Sequence, residues 1–459
     1  MAVDALHIGL GNFHRAHQCV YFQRAGLSVA SCNLRSRGAV DSLLPRGGRF
    51  TLLTLDGEKA DAQEITSLAE PVYYPDDPQA WLDRFAEPAI RLVTITVTEK
   101  GYPRNPQGGL ALDDAGIRRD LQRALPPGSM IGVLAEGLSR RRSLGLGGLP
   151  VVSCDNLPGN GGILKRLVTD YARQFDEGLA LWIEAECRFP STMVDCIVPA
   201  IRQEDRVRAQ ALIGYDDQGL VVAEPFRLWV MENQWIGERP LFDGPDFLWV
   251  EDAAPFDAMK LRLLNAVHTA LACLGQVAGY DFIWQAATDP VFATYAARLQ
   301  QELLTTVPPT PGYDQARYIS AILTRFSNRA LPHRTSQVAS DSSQKLPIRL
   351  LAPAQERLAA GWPSPLIAVA VAGWMRQVIG TTEQGQSYAI SDPMAEQLAN
   401  VVSAAGHNPA RLCASLMAQE RVFPEALRED GVFVDCVCAA LKTMQKSGVR
   451  QALVELGMK

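Results

Sequence analysis

The stretch LHIGLGNFHRAH, residues 6–17, predicts the fold of the first part of the chain. Leu6–Leu10 has the apolar character of a buried strand, and a helical pattern starts at about Ala16. Gly9 and Gly11 lie between them, where glycines permit a tight turn and close approach to a pyrophosphate at a helix N-terminus. The stretch therefore indicates the first strand, turn and helix of a nucleotide-binding α/β sheet.

An ordinary strand-to-helix turn is the alternative interpretation of the same stretch. The third glycine of the usual fingerprint is missing, and Arg15 or Ala16 stands near its place. His14, Arg15 and His17 add polar side chains that an ordinary turn would not need. On these residues alone both interpretations stay open.

Further strands and helices alternate downstream of this turn. Strands are predicted at Leu27–Leu34, at Leu92–Thr98 and within LPVVSCDN at residues 149–156, with helices through GVLAEGLSRRRSLG at residues 132–145 and from about Ile163. Such alternation is typical of a mostly parallel α/β sheet. Helical periodicity dominates from about Asp257, so we place a sheet domain at residues 1–255 and a mostly helical domain at residues 256–459.

Composition limits the partners and the compartment. The 459-residue chain has a net charge of −6 and no long Lys/Arg run, which argues against nucleic acid as a partner. It has no apolar stretch of about 18 residues and no recognisable signal peptide, so we expect neither a membrane span nor secretion. The nine cysteines are scattered without CxxC spacing, which favours reduced thiols in the cytoplasm.

Several polar residues follow predicted strands, where open α/β sheets bind ligands. Arg35 and Arg37 follow the second strand in place of a carboxylate and either contact a 2′-phosphate or are solvated. Asp155 and Asn156 either face a ligand or cap the next helix. Asp195, in FPSTMVD, is by default a surface carboxylate.

The stretch KLRLLNAVHTALACLG, residues 260–275, places polar side chains beside an apolar helix face. At 100° per residue, Lys260, Asn265 and His268 fall within an arc of about 140°. A dehydrated lysine loses ammonium character and becomes a usable base, and an asparagine amide can donate to a carbonyl or alkoxide oxygen. The alternative is a snorkelling lysine, a core asparagine and a capping histidine.

A serine-rich stretch in the second domain, HRTSQVASDSSQKLPIRL at residues 333–350, is predicted as a loop. It is either a solvated linker or a binding loop rich in donors for hydroxyls or a carboxylate. Its polar residues include Arg334, Gln337 and Lys345.

Taken together, these stretches resemble the mannitol dehydrogenase family, the polyol-specific long-chain dehydrogenases/reductases. The resemblance spans residues 6–348 and is carried, in the family's order, by HIGLGNFHRAHQ, TVTEKGY, SCDNLPGNG, FPSTMVD, EPFRLWVMEN, KLRLLNAVH and SDSSQKLP. The family's Lys-x4-Asn-x2-His signature is met by Lys260, Asn265 and His268.

The resemblance implies a Rossmann-type domain, a mostly helical domain and an active site between them. It implies metal-free hydride transfer between a nicotinamide cofactor, NAD with NADP possible, and a sugar C–OH/C=O. Lys260 would be the general acid/base, Asn156 and Asn265 would bond the reacting oxygen, and His268 would orient the substrate. The other implied site residues are Asp195 and Lys345 on the substrate side, and Gly9, Gly11, Asn12, Phe13, His14, Arg15, Thr98, Glu99 and Asn156 at the cofactor.

Within the family, the loop resembles the fructuronate reductase (mannonate oxidoreductase) branch. The polyol-oxidising branch carries an arginine eight residues before the loop lysine, where this chain has Gln337. Arg334 could then meet a hexuronate carboxylate bidentately. The expected substrate is a sugar acid of the D-mannonate/D-fructuronate type, and the alternative is a neutral polyol such as mannitol or arabinitol.

Two other classes remain as rivals at this stage. One is a non-catalytic nucleotide-binding regulator, against which the intact lysine signature argues, and the other is a methyltransferase built on the glycine turn. The absence of HExxH or a spaced cysteine set agrees with chemistry that needs no metal. The resemblance implies a monomer, and no heptad seam suggests otherwise.

Overall fold

The computed structural model describes residues 3–242, 244–406 and 408–458 and divides the chain into two compact units. The first unit ends at Asp257 and the second begins at Ala258. Each unit has its own architecture and is described separately.

The first unit contains all the strands of the described chain. They are β1 Ala5–Ile8, β2 Val29–Asn33, β3 Phe50–Asp56, β4 Lys59–Ile65, β5 Leu68–Tyr73, β6 Leu92–Ile95, β7 Val151–Ser153, β8 Thr192–Asp195, β9 Val221–Ala223, β10 Leu228–Glu232 and β11 Phe247–Val250. The α-helices around them are Asn12–Ala16, Gln18–Arg24, Gly38–Leu43, Pro78–Arg84, Ala115–Leu121, Met130–Ser143, Asn160–Arg173, Glu177–Glu186 and Gln203–Ile213, with Ala254–Met259 at the boundary of the units. Short 3-10 turns are formed by Leu44–Arg46, Tyr74–Asp76 and Glu99–Gly101.

The main sheet is entirely parallel, with strand order β5-β2-β1-β6-β7. Its central strands β1 and β6 are buried at every position, as expected of parallel strands covered on both faces. The order reverses direction around β1, which is the topology of a doubly wound dinucleotide-binding domain. The predicted Rossmann-type sheet is confirmed.

Two smaller sheets, which the sequence did not predict, complete the first unit. One has the order β11-β10-β8, with β8 antiparallel to β10, and the other has the order β4-β3-β9, with β3 and β4 forming an antiparallel hairpin. An aromatic cluster around Trp229 of β10 packs the helix Gln18–Arg24 against the first of these sheets. The cluster therefore holds the helix that follows the glycine turn.

The regular secondary-structure elements of the second unit are all helices over its described residues, 258–406 and 408–458. Its α-helices are Val267–Val277, Ile283–Thr288, Pro290–Leu304, Gln315–Phe326, Thr335–Val338, Ser342–Leu346, Ala352–Ala359, Pro365–Gln377, Ala395–Ala405, Pro409–Met417, Glu425–Glu429, Gly431–Ser447 and Val449–Glu455. Two segments, Lys260–Ala266 and Pro347–Leu351, are π-helical. The predicted mostly helical second domain is confirmed.

The helix Pro365–Gln377 forms the centre of the second unit. Every residue from Leu366 to Gln377 is buried, because the helix packs against Val267–Val277 on one side and Gly431–Ser447 on another. A Cβ on Gly373 would lie 2.5 Å from the side chain of Leu274, so glycine sets how closely two of these helices approach. The packing fixes the helix that continues from the lysine signature.

Two predictions made from the sequence are wrong in this unit. The stretch SDSSQKLP was predicted as a loop, but Ser342–Leu346 is helical because the side chain of Asp392 binds the backbone and hydroxyl of Ser343. All nine cysteines were expected to be reduced, but Cys413 and Cys438 form a disulfide between two packed helices. Their separation of 25 residues carries no spacing signature, and the other seven are free thiols.

The aromatic cluster gives a direct test of the first unit's core. Trp229→Ala should lower the free energy of unfolding by about 3–5 kcal/mol, because it removes a fully buried indole from between several aromatic rings. Urea unfolding measures the change. Leu181→Ala is the control because that side chain is 56% exposed, and a loss for Trp229→Ala no larger than the control's would contradict the packing.

Candidate functional site

A cavity of about 330 Å³ lies in the first unit at the carboxyl ends of β1, β2 and β6. Its walls are the glycine turn after β1, the residues Asn33 to Arg35 at the end of β2, and the segment from Thr96 to Gly101 after β6. Gly128, Ser129 and Met130 close another side at the start of a helix. This is the edge at which doubly wound sheets bind dinucleotides.

The two glycines of the turn serve different purposes. Gly9 has φ +110°, and a Cβ there would lie 1.9 Å from the carbonyl oxygen of Thr96, so only glycine fits. Gly11 has no such constraint, since the nearest atom to an added Cβ is 3.9 Å away. Gly11 therefore leaves open space beside the cavity that the protein's own packing does not require, which suits the close approach of a ligand backbone.

Asp155, immediately after β7, holds the segment that follows β6. Its buried carboxylate accepts hydrogen bonds from the amides of Val97 and Thr98, the latter at 2.7 Å, and from the hydroxyl of Tyr102 at 2.7 Å. These bonds turn the chain away from the strand, so β6 ends at Ile95 rather than at the predicted Thr98. Burial raises the pKa of Asp155, although the three donors favour its charged form.

Thr98 lies in this cavity with φ +67°, a conformation that costs a non-glycine residue of the order of 1–3 kcal/mol. The hydrogen bond from the backbone N–H of Thr98 to the Asp155 carboxylate opposes that cost. The expectation that Asp155 or Asn156 caps the next helix is wrong, because that helix begins after Gly159 without a side-chain cap. Asp155 instead shapes the wall of the cavity.

The remaining predicted cofactor residues of the turn do not line this cavity. Arg15 is buried, and its guanidinium donates to the carbonyl of Gly219 at 2.7 Å and to the side chain of Asn12 at 2.6 Å. Phe13 stacks on His17 with ring centroids 5.0 Å apart. Glu99 is exposed in the 3-10 turn beside the cavity.

His14, also predicted at the cofactor, is buried in the core, stacked on His7 with centroids 3.3 Å apart. Sequence reasoning missed His7, although a histidine inside an apolar strand signals a group that must find partners. Its ring nitrogens are hydrogen-bonded to Thr94, at 2.7 Å, and to Thr96 and the carbonyl of Gly9. The pair thus supports the glycine turn from beneath. Burial lowers the pKa of His7 to about 3.

Asn156 and Asp195 complete the predicted residues of the first unit. Asn156 is exposed in the turn directly after β7. Asp195 is the last residue of β8 and is 3% exposed, so the default expectation of a surface carboxylate is wrong. Asp195 pairs with Leu228 of the antiparallel strand β10.

In the second unit, the lysine signature begins in a π-helical turn. Lys260 and Asn265 both lie in the segment Lys260–Ala266, and His268 follows in the helix Val267–Val277. The i→i+5 bonding of a π-helix turns less per residue than an α-helix, so residues five apart come closer to one face. The arc over which Lys260, Asn265 and His268 spread is therefore narrower than the one inferred for a regular α-helix. Short π-helical turns are frequent at functional sites. Lys260 is partly exposed, while Asn265 is buried.

Asn265 is held through its backbone and left unpaired at its side chain. Its carbonyl accepts from the hydroxyl of Thr269 at 2.9 Å and from the guanidinium of Arg349 at 3.4 Å. Arg349, which also donates to Thr269 at 2.9 Å, belongs to the second π-helical segment. The amide oxygen of Asn265 has no hydrogen-bond partner among the described residues.

His268 is a neutral imidazole in a cationic environment. Burial lowers its pKa well below the usual value, and the nearby charges of His333, Arg349, Lys345 and Arg325 lower it further. Its ring stacks on Phe326 with centroids 4.6 Å apart. The Nε2 atom has no hydrogen-bond partner among the described residues. A neutral ring with a free nitrogen can bond a hydroxyl without carrying charge.

The predicted substrate-side residues of the serine-rich stretch have different environments. Lys345 donates to the carbonyl of Val338 at 3.1 Å and to that of Ser340, and burial lowers its pKa. Arg334 is exposed and lies over the ring of Phe282 at 5.2 Å. Gln337 is exposed on the short helix Thr335–Val338.

The described residues contain neither a metal-binding cluster nor a membrane-spanning helix. No group of three or more histidine, cysteine, aspartate or glutamate side chains in residues 3–242, 244–406 and 408–458 is placed to hold a metal ion. Within the same ranges, no helix combines the length and apolarity needed to span a bilayer.

Two family models match nearly the whole chain. The mannitol dehydrogenase Rossmann domain matches residues 3–244, and the mannitol dehydrogenase C-terminal domain matches residues 252–445. The chain therefore belongs to the mannitol dehydrogenase family, whose named members are oxidoreductases. The family membership predicted from the sequence is confirmed.

Similar proteins cover the chain almost completely. The Escherichia coli K12 D-mannonate oxidoreductase is 35% identical over 98% of this chain and 95% of that protein. The uncharacterized oxidoreductase YdfI of the same organism is 35% identical over 100% and 96%. The Pseudomonas fluorescens mannitol 2-dehydrogenase, solved as a ternary complex with NAD and D-mannitol, is 32% identical with a TM-score of 0.85, over 100% of this chain and 95% of that one.

The buried His7 makes the stability of the first unit sensitive to acid. Its folded-state pKa, about 3, is below the ordinary 6.5, so the unfolded chain binds the proton first. Stability should therefore be complete above pH 6.5 and fall as the pH drops toward 3, by up to about 1.4 kcal/mol per pH unit from this group. Urea unfolding between pH 7 and pH 5 measures the slope.

The variant His7→Gln isolates this contribution, whatever its effect on absolute stability. Because glutamine does not titrate, the slope of unfolding free energy against pH should become shallower by the contribution of one proton, up to about 1.4 kcal/mol per pH unit. An unchanged slope would show that His7 does not resist protonation in the folded state.

Proposed function

We propose that this protein is an NAD-dependent oxidoreductase that transfers hydride between nicotinamide and a secondary alcohol carbon of a sugar acid of the D-mannonate/D-fructuronate type. The observation that supports this proposal most is the π-helical lysine signature. In it, Oδ1 of Asn265 and Nε2 of His268 have no hydrogen-bond partner among the described residues. The cavity beside the glycine turn supports a dinucleotide, because its glycines fit a close approach of the cofactor backbone.

In this proposal Lys260 is the general acid/base. During oxidation its neutral amine takes the proton of the substrate hydroxyl at Nζ, and during reduction the ammonium returns it. Bound NAD supplies the hydride acceptor. Asn156 and Asn265 donate amide hydrogens to the substrate oxygen as negative charge grows on it, which stabilises the alkoxide. His268, being neutral, bonds a neighbouring hydroxyl and sets the orientation of the sugar.

The charges around His268 favour an acidic substrate. Arg349, Lys345 and Arg325 act on the His268 ring as positive groups, and together they favour an anion nearby. The 35% sequence identity to the Escherichia coli D-mannonate oxidoreductase agrees with an acidic substrate. The assignments of Asp195, Arg334, Gln337 and Lys345 to the substrate belong to the same proposal.

A neutral polyol such as mannitol or arabinitol is the alternative substrate. It is favoured by the likeness to a mannitol 2-dehydrogenase. The hydrogen bonds that Lys345 donates to the carbonyls of Val338 and Ser340 also favour it, because they use part of the ammonium's capacity to bind a carboxylate. Both candidates require the same base and the same hydride acceptor, so only the substrate distinguishes them.

Substitution of the base tests the reaction. Lys260→Met should lower kcat/KM by about 10²–10⁴-fold, because general acid/base catalysis contributes this much. The NAD dissociation constant, measured by fluorescence quenching, should be unchanged, because the proposed cofactor cavity is lined by residues of the first unit. Lys442→Met, which removes an exposed lysine of the same unit, is the control. Turnover of Lys260→Met at the wild-type rate contradicts the assignment.

A substrate panel tests the sugar acid. We expect D-mannonate to be oxidised with a kcat/KM about 10- to 100-fold above that of D-mannitol, since a charge-assisted contact discriminates by this much. Absorbance of the reduced nicotinamide at alkaline pH gives both rates. Equal rates, or faster oxidation of D-mannitol, would assign the protein to the neutral polyols. No oxidation of any sugar acid or polyol would count against the reaction itself.

A further inference from the structure

The wall of the cavity at the end of β2 has no free carboxylate. In doubly wound sheets, NAD-binding proteins place an Asp or Glu about 20 residues after the glycine turn, where it accepts hydrogen bonds from the adenosine ribose. Here β2 ends at Asn33, which is followed by Leu34 and Arg35. Asp114 supplies the one carboxylate among the described lining residues, and its side chain already caps a helix by accepting from the amide of Ile117 at 3.0 Å.

The same wall carries an arginine whose charge is not neutralised. Arg35 lines the cavity, is exposed, and forms no ion pair or hydrogen bond with the described residues. Arg37, two residues further on, is different, because it pairs with Asp41 at 3.1 Å and Asp76 at 2.7 Å. Arg35 is therefore the arginine that remains available to a ligand at the end of β2.

The other charged groups at the cavity reinforce this sign. Lys100 and Arg119 also line it. The guanidinium of Arg119 binds Asp120 at 2.7 Å, so its charge is largely compensated. Lys100 makes no ion pair or hydrogen bond with the described residues. The cavity thus presents two cations without an ion pair, Arg35 and Lys100, and one carboxylate among its described lining residues, that of the helix-capping Asp114.

We propose that this cavity accepts the 2′-phosphate of NADP as well as the 2′-hydroxyl of NAD, with Arg35 as the residue that binds the phosphate. The inference rests on the proposed function, because it assumes a nicotinamide dinucleotide in this cavity. A guanidinium matches a phosphate through paired, charge-assisted hydrogen bonds. No carboxylate stands at the end of β2 to repel the phosphate there. Asn33 can still bond the ribose hydroxyls of NAD through its amide.

Kinetics with the two cofactors give the first test. The wild-type protein should turn over both NAD and NADP. Arg35→Ala should lower kcat/KM for NADP about 10- to 100-fold more than it lowers kcat/KM for NAD, because a hydrogen bond to a charged group contributes about this much. Arg35→Asp should abolish use of NADP. Arg118→Ala removes the same charge from an exposed position that does not line the cavity, and it should change neither value.

A binding measurement tests the site without turnover. Titration calorimetry of adenosine 2′,5′-bisphosphate and of adenosine 5′-monophosphate compares ligands that differ by the 2′-phosphate. The bisphosphate should bind more tightly to the wild-type protein, and Arg35→Ala should remove that preference. Equal binding of the two ligands to the wild-type protein, or a preference that survives in Arg35→Ala, overturns the inference.

The two measurements separate this inference from the proposed function. Turnover of NAD without NADP turnover or bisphosphate preference overturns the inference and leaves the oxidoreductase intact. A bisphosphate preference that depends on Arg35, in a protein that turns over neither cofactor with any sugar, supports the phosphate site and counts against the proposed reaction.

Discussion

The close approach of Gly9 to the carbonyl of Thr96 is the constraint on which the first unit depends. The contact joins the segments that follow β1 and β6, and no residue with a Cβ fits at the position of Gly9. His7 bonds both partners of this contact from below, and Asp155 holds the segment beyond it. The cavity is thus built from backbone positions that buried side chains fix. The strain at Thr98 is tolerated because Asp155 and its neighbours determine the conformation from several directions.

The parts of the fold that the sequence predicts are those set by local pattern. The glycine turn, the strand after Arg91 and the helical second half all follow from periodicity and residue type within short windows. The two small sheets were missed, because their strands pair with partners far along the chain. The helix Ser342–Leu346 was missed for a similar reason. Its serines favour turns locally, and its order depends on Asp392, about fifty residues away.

The residues of the candidate site can be named from the sequence, but their environment cannot. The signature of Lys260, Asn265 and His268 can be read from the sequence, whereas the π-helical turn that aligns its members cannot, because the 3.6-residue period was assumed for the whole segment. Similarly, His14 looks like a ligand residue in sequence because it is polar beside a glycine turn. Its burial against His7 depends on a strand whose neighbours lie tens of residues away.

The unpaired acceptors of the second unit are the strongest physical argument for a bound hydroxyl-rich molecule. A buried polar atom without a partner costs about 1–3 kcal/mol. Asn265 and His268 each retain one, three residues apart on one helical stretch. Thr269 and Arg349 both donate to the backbone carbonyl of Asn265 and leave its side-chain amide oxygen unpaired. A molecule that presents hydroxyl groups can bond both atoms, and a molecule without them leaves both unpaired, which favours the hydroxyl-bearing ligand.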